Sequence, residues 1–265
     1  MNVKLIAADI DGTLLNKKRE LTSATIAAVR AAIEKGVYFV LATGRPIQAV
    51  RGFSEVLGLE KMPFILYNGA MAMMDGEVLY SLTFPAETAR MVVEEGHKRN
   101  STMICWANNK LYSETVNEKI NFYKSFSGVE PIVLKSLADV ADEGAGITKF
   151  VWYDDDERTK LNFDEFSETM GDRLNVHPSQ HDFLEFVNKD CSKAIAMQKI
   201  CEKLGIDVKD TVAIGDGFND LSMLRFAGLG VAMGNADERI KKECGYVTDG
   251  NDNDGAAKFI EKFVL

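Results

Sequence analysis

The hexapeptide Asp9-Ile10-Asp11-Gly12-Thr13-Leu14 sets two carboxylates either side of an isoleucine, immediately before a glycine. The run leading into it, residues 3–10, carries almost no charge before Asp9 and reads as a strand buried in a parallel sheet. Strand side chains alternate, so Asp9 and Asp11 are expected toward one side while Ile10 points away. Gly12 lets the backbone turn sharply at that point. A single aspartate there would be explained as a helix cap or a turn residue. A pair at the tip of a buried strand suits a divalent metal, a phosphate or both.

Comparable groups recur wherever an apolar run ends. They are Thr43-Gly44-Arg45, Asn68-Gly69, Gly215-Asp216-Gly217-Phe218-Asn219-Asp220 and Met233-Gly234-Asn235. Ligands of open parallel sheets bind beyond the carboxyl ends of the strands, so these groups are expected to converge on one edge. Asp9 and Asp216 offer hard anionic oxygens that suit Mg²⁺. Thr43 can donate a hydroxyl hydrogen bond to a phosphate oxygen, and Gly12 and Gly44 let backbone N–H groups approach an anion closely. An aspartate can attack phosphorus, and a neighbouring Asp11 could pass the proton to the leaving oxygen and later take one from water. One further cation is wanted. Lys193, at the start of a helix after Cys191-Ser192, and Arg45 are available, but from position alone both read as solvated residues.

These groups need a scaffold. Residues 3–9, 37–42 and 64–67 read as strands, with helices over 22–35 and 47–57 between them. Thr22 or Ser23 caps the first helix, Gly36 ends it, and Gly58 closes the second. This βαβαβ order predicts a parallel sheet covered by helices. From about 83 to 188 the pattern becomes mixed, with helices near 85–99, 115–126 and 161–170 and strands near 102–106, 110–113, 147–153, 174–177 and 183–187. Alternation then resumes: helices at 193–204, 221–227, 236–243 and 256–263, strands at 211–214, 229–232 and 246–248. The expected architecture is α/β, a Rossmann-like doubly wound parallel sheet core with an inserted α+β cap domain. The core comprises 1–82 and 189–265, the insertion 83–188.

Composition narrows the function. The chain has 265 residues, 46% of them hydrophobic and 27% charged, which is ordinary for a soluble globular protein. A net charge of −9 argues against a general nucleic-acid or anionic-membrane binder. Four scattered cysteines without a Cys-x-x-Cys, and only three histidines, leave little from which to build a zinc site. The first apolar run is strand-like and stops at Asp9, and no stretch approaches the length of a membrane span. A cytoplasmic location, reduced cysteines, a small-molecule partner and a monomer or small homo-oligomer are expected.

Taken together, the segments around Asp9, Thr43, Ser192-Lys193 and Asp216 resemble the four motifs of the haloacid dehalogenase superfamily of phosphotransferases. Asn68-Gly69-Ala70, Val231-Ala232-Met233-Gly234-Asn235-Ala236 and Asn253-Asp254-Gly255 are similar to the Cof-type capped sugar-phosphate phosphatases. The resemblance implies that Asp9 is the nucleophile and Asp11 the acid/base. It implies Mg²⁺ held by Asp9, the Asp11 carbonyl and Asp216, with Asp220 supporting the metal's water shell and Lys193. Thr43, Lys193 and Asn219 would hold the transferring phosphate, with Gly12, Gly44, Arg45 and Asn68 completing the phosphate and substrate site. The insertion would act as a lid that selects a small phosphorylated metabolite. Two departures are Ala194, where glycine is common, and Ala256, where valine is frequent; neither removes a chemical group.

Other motifs carry less. Asp249 to Gly255 evokes a calcium loop, but its sixth position is Asp254 instead of glycine and its twelfth is Ile260 instead of glutamate. It reads as a polar turn before the last helix. Asp154 to Glu157 reads as a solvated turn, His177 and His181 as a loop pair, and Trp106, Tyr112 and Tyr123 as packing. A phosphomutase shares all the core features, and a non-catalytic sugar-phosphate sensor would be expected to lack one of Asp9, Asp11, Lys193 or Asp216.

Overall fold

A computed structural model describes residues 2–142 and 146–265 of the chain. In chain order the strands are β1 (Leu5–Ala8), β2 (Tyr38–Ala42), β3 (Pro63–Leu66), β4 (Met71–Met74), β5 (Glu77–Ser81), β6 (Thr102–Ala107), β7 (Lys110–Ser113), β8 (Ile132–Val133), β9 (Ile147–Tyr153), β10 (Leu174–Gln180), β11 (Phe183–Asn188), β12 (Thr211–Gly215), β13 (Leu229–Ala232) and β14 (Tyr246–Val247). The α-helices are α1 (Ser23–Glu34), α2 (Ile47–Leu57), α3 (Ala86–Lys98), α4 (Glu118–Ser127), α5 (Ala138–Asp142), α6 (Asp156–Thr169), α7 (Lys193–Leu204), α8 (Leu221–Phe226), α9 (Glu238–Lys241) and α10 (Gly255–Phe263). They divide into two compact units, one of Met1–Gly44, Val50–Tyr80 and Ser192–Leu265, the other of Arg45–Ala49 and Ser81–Cys191. Among the described residues no helix is long and apolar enough to cross a membrane.

The first unit is α/β. Its eight-stranded sheet runs β14-β13-β12-β1-β2-β3-β4-β5. From β14 to β3 neighbouring strands are parallel, and β4 turns antiparallel to β3. Parallel strands sandwiched between helices must be apolar on both faces, and β1, β3 and β12 are buried throughout. Leu5 and Ala7 of β1 join Val40, Ile65 and Ala213 in a core closed by Ala196, Met197 and Ile200 of α7 and by Met223 and Leu224 of α8. Caps fix the helix starts: Thr22 accepts from the Thr25 N–H at 3.1 Å, and Ser192 from the Ala194 N–H at 3.2 Å.

Two expectations need correction here. The first strand ends at Ala8, not at residue 9, because the chain leaves the sheet to enter a turn. Residues 71–81, assigned no element from sequence, form the β4–β5 hairpin. Its turn residues Asp75 (φ 51°) and Gly76 (φ 79°) are both left-handed, as a two-residue hairpin turn requires.

The second unit is α+β. Its six-stranded sheet has the order β10-β11-β9-β6-β7-β8, antiparallel except between β7 and β8. One core gathers Phe150, Trp152, Phe166 and Phe186. Trp152 meets Phe166 edge-on at 5.2 Å. Trp106 and Tyr123 are buried, and the Trp106 indole N–H donates to the Tyr123 hydroxyl at 2.9 Å. The acidic run at 154–157 is not a solvated turn. Asp154 is buried and accepts from Ser101 Oγ at 2.7 Å, while Asp155 caps α6 and so starts that helix earlier than expected. His177 lies within β10, opposite Glu185, and not in a loop.

Candidate active site

Sheet order does the positioning. β1 lies between β12 and β2, with Ala8 opposite Ile214 on one side and Leu41 on the other. The residues that follow these strands, Asp9, Asp216 and Thr43, therefore emerge side by side. The Asp9 N–H donates to the Ile214 carbonyl at 3.0 Å, which holds Asp9 in line with the sheet after the strand itself has ended. Residues Ile10–Leu14 then form a wide turn that is not helical at Asp11 (φ −81°, ψ 118°) or Gly12 (φ 82°), closed by the Leu15 N–H donating to the Ile10 carbonyl at 3.0 Å. Gly12 has φ +82°, and a Cβ there would lie 2.2 Å from Asp216 Oδ2. Glycine is needed on both counts.

The two aspartates of this segment differ in exposure: Asp9 is buried, whereas Asp11 is exposed. Asp11 still acts on the site electrostatically, adding a small repulsion to Asp216.

Lys193 lies at the centre. Position alone reads it as solvated, whereas the resemblance implies a site residue; it is fully buried at the first position of α7. Its ammonium donates to Asp9 Oδ1 at 2.8 Å, to Asp220 Oδ1 at 2.6 Å and to the Ala42 carbonyl at 2.7 Å. Three donors meet three acceptors, so this buried cation is fully satisfied. The helix start that carries it is seated by Gly69, which has φ +98°; a Cβ there would come within 2.3 Å of the Ser192 backbone.

Asp220 is tied on both oxygens. Oδ1 takes the lysine, and Oδ2 accepts the Asp216 N–H at 3.1 Å and the Gly217 N–H at 2.9 Å. Asp216 is less constrained: Thr13 Oγ1 donates to its Oδ1 at 2.8 Å and Asn235 Nδ2 to its Oδ2 at 3.3 Å. Asp9, Asp216 and Asp220 each offer an oxygen, all within 4.8 Å of one another. Beside them Asn219 Nδ2 donates to Asn68 Oδ1 at 3.1 Å, the Asn68 N–H donates to the Thr43 carbonyl at 3.0 Å, and Gly44 is close enough that a Cβ would lie 2.9 Å from Asn68 Oδ1. Arg45 belongs to the segment that clusters with the other unit.

Three carboxylates so close repel one another. Burial raises the Asp9 carboxyl well above its ordinary range; Lys193 opposes this, and Asp220 and Asp216 add to it. Burial, and then repulsion from Asp220, push Asp216 up to about 6. Burial favours the neutral form of Lys193, but Asp220 and Asp9 outweigh it and hold the amine protonated. One ammonium faces three carboxylates, and a further cation would relieve the excess. The donors are hard oxygens, which fit an Mg²⁺-like ion. Asp9 and Asp216 retain the freer lone pairs; Asp220, with both oxygens engaged, fits a supporting place.

Sequence reasoning missed two members. Thr13 was available as the hydroxyl next to Gly12. The Ala42 carbonyl had no signal, since a backbone acceptor carries no side-chain signature.

A family model described as haloacid dehalogenase-like hydrolase matches residues 6–260. The chain is 31% identical over 271 residues to the 5-amino-6-(5-phospho-D-ribitylamino)uracil phosphatase YcsE of Bacillus subtilis, spanning 100% of this chain and 97% of that protein. It is 30% identical over 276 residues to the pyridoxal phosphate phosphatase YbhA of Escherichia coli, spanning 100% of both. A haloacid dehalogenase-like hydrolase from Bacteroides thetaiotaomicron matches with TM-score 0.87 and 29% identity, over 98% of this chain and 99% of that one. The HAD subclass IIB sugar phosphatase BT4131 matches with TM-score 0.85 and 28% identity, over 99% and 100%. With its sheet order, its cluster of carboxylates around a buried lysine and likeness along its whole length, the chain belongs to the haloacid dehalogenase-like hydrolases and is a phosphoric monoester hydrolase of the Cof type.

Proposed function

We propose that this chain is a Mg²⁺-dependent phosphatase of small phosphorylated metabolites, sugar phosphates foremost, that works through an aspartyl-phosphate at Asp9. The observation that carries the reading is the buried Lys193 bridging Asp9 and Asp220 within a cluster of three carboxylates. That arrangement is costly for a merely structural core and useful for holding a divalent cation, through which an anionic substrate can be bound.

In the first step an Asp9 carboxylate oxygen attacks phosphorus. The bond from phosphorus to the ester oxygen breaks, and that oxygen takes a proton from Asp11. In the second step Asp11 takes a proton from water, whose oxygen attacks phosphorus. The bond to Asp9 breaks, inorganic phosphate leaves, and both carboxyl groups return to their starting states. Exposure of Asp11 suits a group that must meet solvent water. Lys193 keeps Asp9 oriented and offsets negative charge, and Thr43, Asn219 and the backbone at Gly12 and Gly44 would hold phosphate oxygens, with Asn68 fixing Asn219. Asp9 and Asp216, with the Asp11 carbonyl, would hold Mg²⁺, and Asp220 would fix the shell around it. When bound, the ion supplies charge neutralisation for the phosphate and the carboxylates. We assign the inserted unit, with Arg45, to substrate selection as a lid.

The test is phosphate release from a panel of sugar phosphates, nucleotides and cofactor phosphates, with and without Mg²⁺. Release that needs Mg²⁺ and vanishes in Asp9→Asn is expected, since enzymes accelerate this reaction by up to ~10²¹-fold and losing the nucleophile removes the route. Near-normal turnover in folded Asp9→Asn would overturn the reading. Isomer formation from hexose phosphates without phosphate release would favour a phosphomutase.

A further inference from the structure

Asp216 must present its oxygens against the repulsion of two other carboxylates, and it sits on a loop, where a side chain is free to rotate unless something holds it. Thr13 holds one oxygen. The other is approached by Asn235, an exposed residue at the end of a different strand. The Asn235 amide has little freedom. Its Nδ2 donates to the Gly12 carbonyl at 2.9 Å and to Asp216 Oδ2 at 3.3 Å, and its Oδ1 accepts the Asn251 N–H at 3.0 Å. Two acceptors on one side and a donor on the other fix which end is nitrogen and demand an amide. Asn251 is tied down in turn, its Nδ2 donating to the Leu15 carbonyl at 2.8 Å. The backbone beneath is tight: a Cβ on Gly234 would lie 2.7 Å from the Gly250 nitrogen.

From this network we infer that Asn235 is a positioning residue for Asp216, a strap through which the loop at 249–251 and the turn at 12–15 jointly set the orientation of that carboxylate for its cation. The inference rests on the proposed use of Asp216 as a metal ligand. Partners that orient a ligating carboxylate typically account for about 10–100-fold in metal affinity.

Two variants separate orientation from simple loop anchoring. Asn235→Ala removes all three hydrogen bonds. Asn235→Asp keeps the acceptor for the Asn251 N–H but turns an oxygen toward Asp216 Oδ2 and the Gly12 carbonyl. Mg²⁺ affinity is measured by calorimetric titration without substrate, and urea unfolding without metal verifies the fold. Both variants are expected to bind Mg²⁺ at least about 10-fold more weakly than the parent while unfolding at a similar urea concentration. At saturating Mg²⁺, kcat on a phosphate monoester should return to within a few-fold of the parent. Parent-like affinity in either folded variant would overturn the strap. A parent protein that binds no Mg²⁺ would instead overturn the metal assignment, and the strap with it.

Discussion

Replacing Lys193 with methionine tests whether the site is organised around its charge. The substitution keeps most of the volume and removes a fully buried ammonium with three acceptors, Asp9 Oδ1, Asp220 Oδ1 and the Ala42 carbonyl. The aspartate side chains are themselves 9% and 1% exposed. Asp220 keeps its two backbone donors, so the loss falls mainly on Asp9 and the orphaned carbonyl. Removing one partner of a buried ion pair costs roughly 3–5 kcal/mol, because the remaining charge stays buried without compensation. Against a total stability of about 5–15 kcal/mol that is a large fraction. The variant's cost must also depend on pH. Lys193 opposes the rise of the Asp9 carboxyl, so without the ammonium Asp9 gains more by taking up a proton, and the deficit relative to the parent is largest at high pH and shrinks on acidification. Urea unfolding of parent and variant at several pH values, without divalent ions, measures it. A deficit below about 1 kcal/mol at high pH, or one that grows as pH falls, would refute the reasoning.

Other consequences follow from the same geometry. Asp216 has its carboxyl raised from an ordinary 3.8 to about 6, so the folded state holds the proton more tightly than the unfolded chain. Its contribution is therefore fully present below pH 3.8 and is lost as pH rises through about 6, by about 3 kcal/mol in all. Metal-free unfolding curves across that window should show the loss, and saturating Mg²⁺ should cancel it; a parent whose stability rises through the window contradicts the assignment. Gly69→Ala should cost about 1–3 kcal/mol from its φ of +98° alone and more from collision with the Ser192 backbone, with kcat falling as Lys193 is displaced; thermal melting and steady-state rates test both. In the second unit, Lys149→Met should destabilise by a similar mechanism, since Lys149 and Glu185 pair at 3.0 Å with side chains 3% and 9% exposed, and parent-like urea unfolding would show the pair to be dispensable.

The parallel core was legible because its strands are short apolar runs punctuated by glycine and polar residues, and because right-handed βαβ order leaves few topologies open. Convergence of Asp9, Asp216 and Thr43 on one edge was legible because parallel sheets bind ligands beyond the carboxyl ends of their strands, whereas the placing of β12 beside β1 was not. The burial of Lys193 was not legible from position. A lysine opening a helix looks solvated unless the neighbouring strand tips are known to place two carboxylates against it. Asp11 differs from Asp9 in exposure, because the strand ends at Ala8 and the chain enters a turn, which period-two reasoning does not anticipate. The β4–β5 hairpin went unassigned because Met71-Ala72-Met73-Met74 lacks branched or aromatic residues, although Asp75-Gly76 carried the turn signal. In the second unit, Asp154 reads as surface because its neighbours are acidic; only the fold brings Ser101 Oγ to it.

The covalent intermediate is the point on which the mechanism turns. Enzyme quenched during turnover of a phosphate monoester, reduced with borohydride and digested can be read by peptide mass spectrometry, since an acyl phosphate is reduced to the alcohol. Homoserine at position 9, dependent on substrate and absent from Asp9→Asn, is the result required. Active enzyme that releases phosphate while position 9 stays unmodified, or that carries the modification on Asp11 or Asp216 instead, contradicts it.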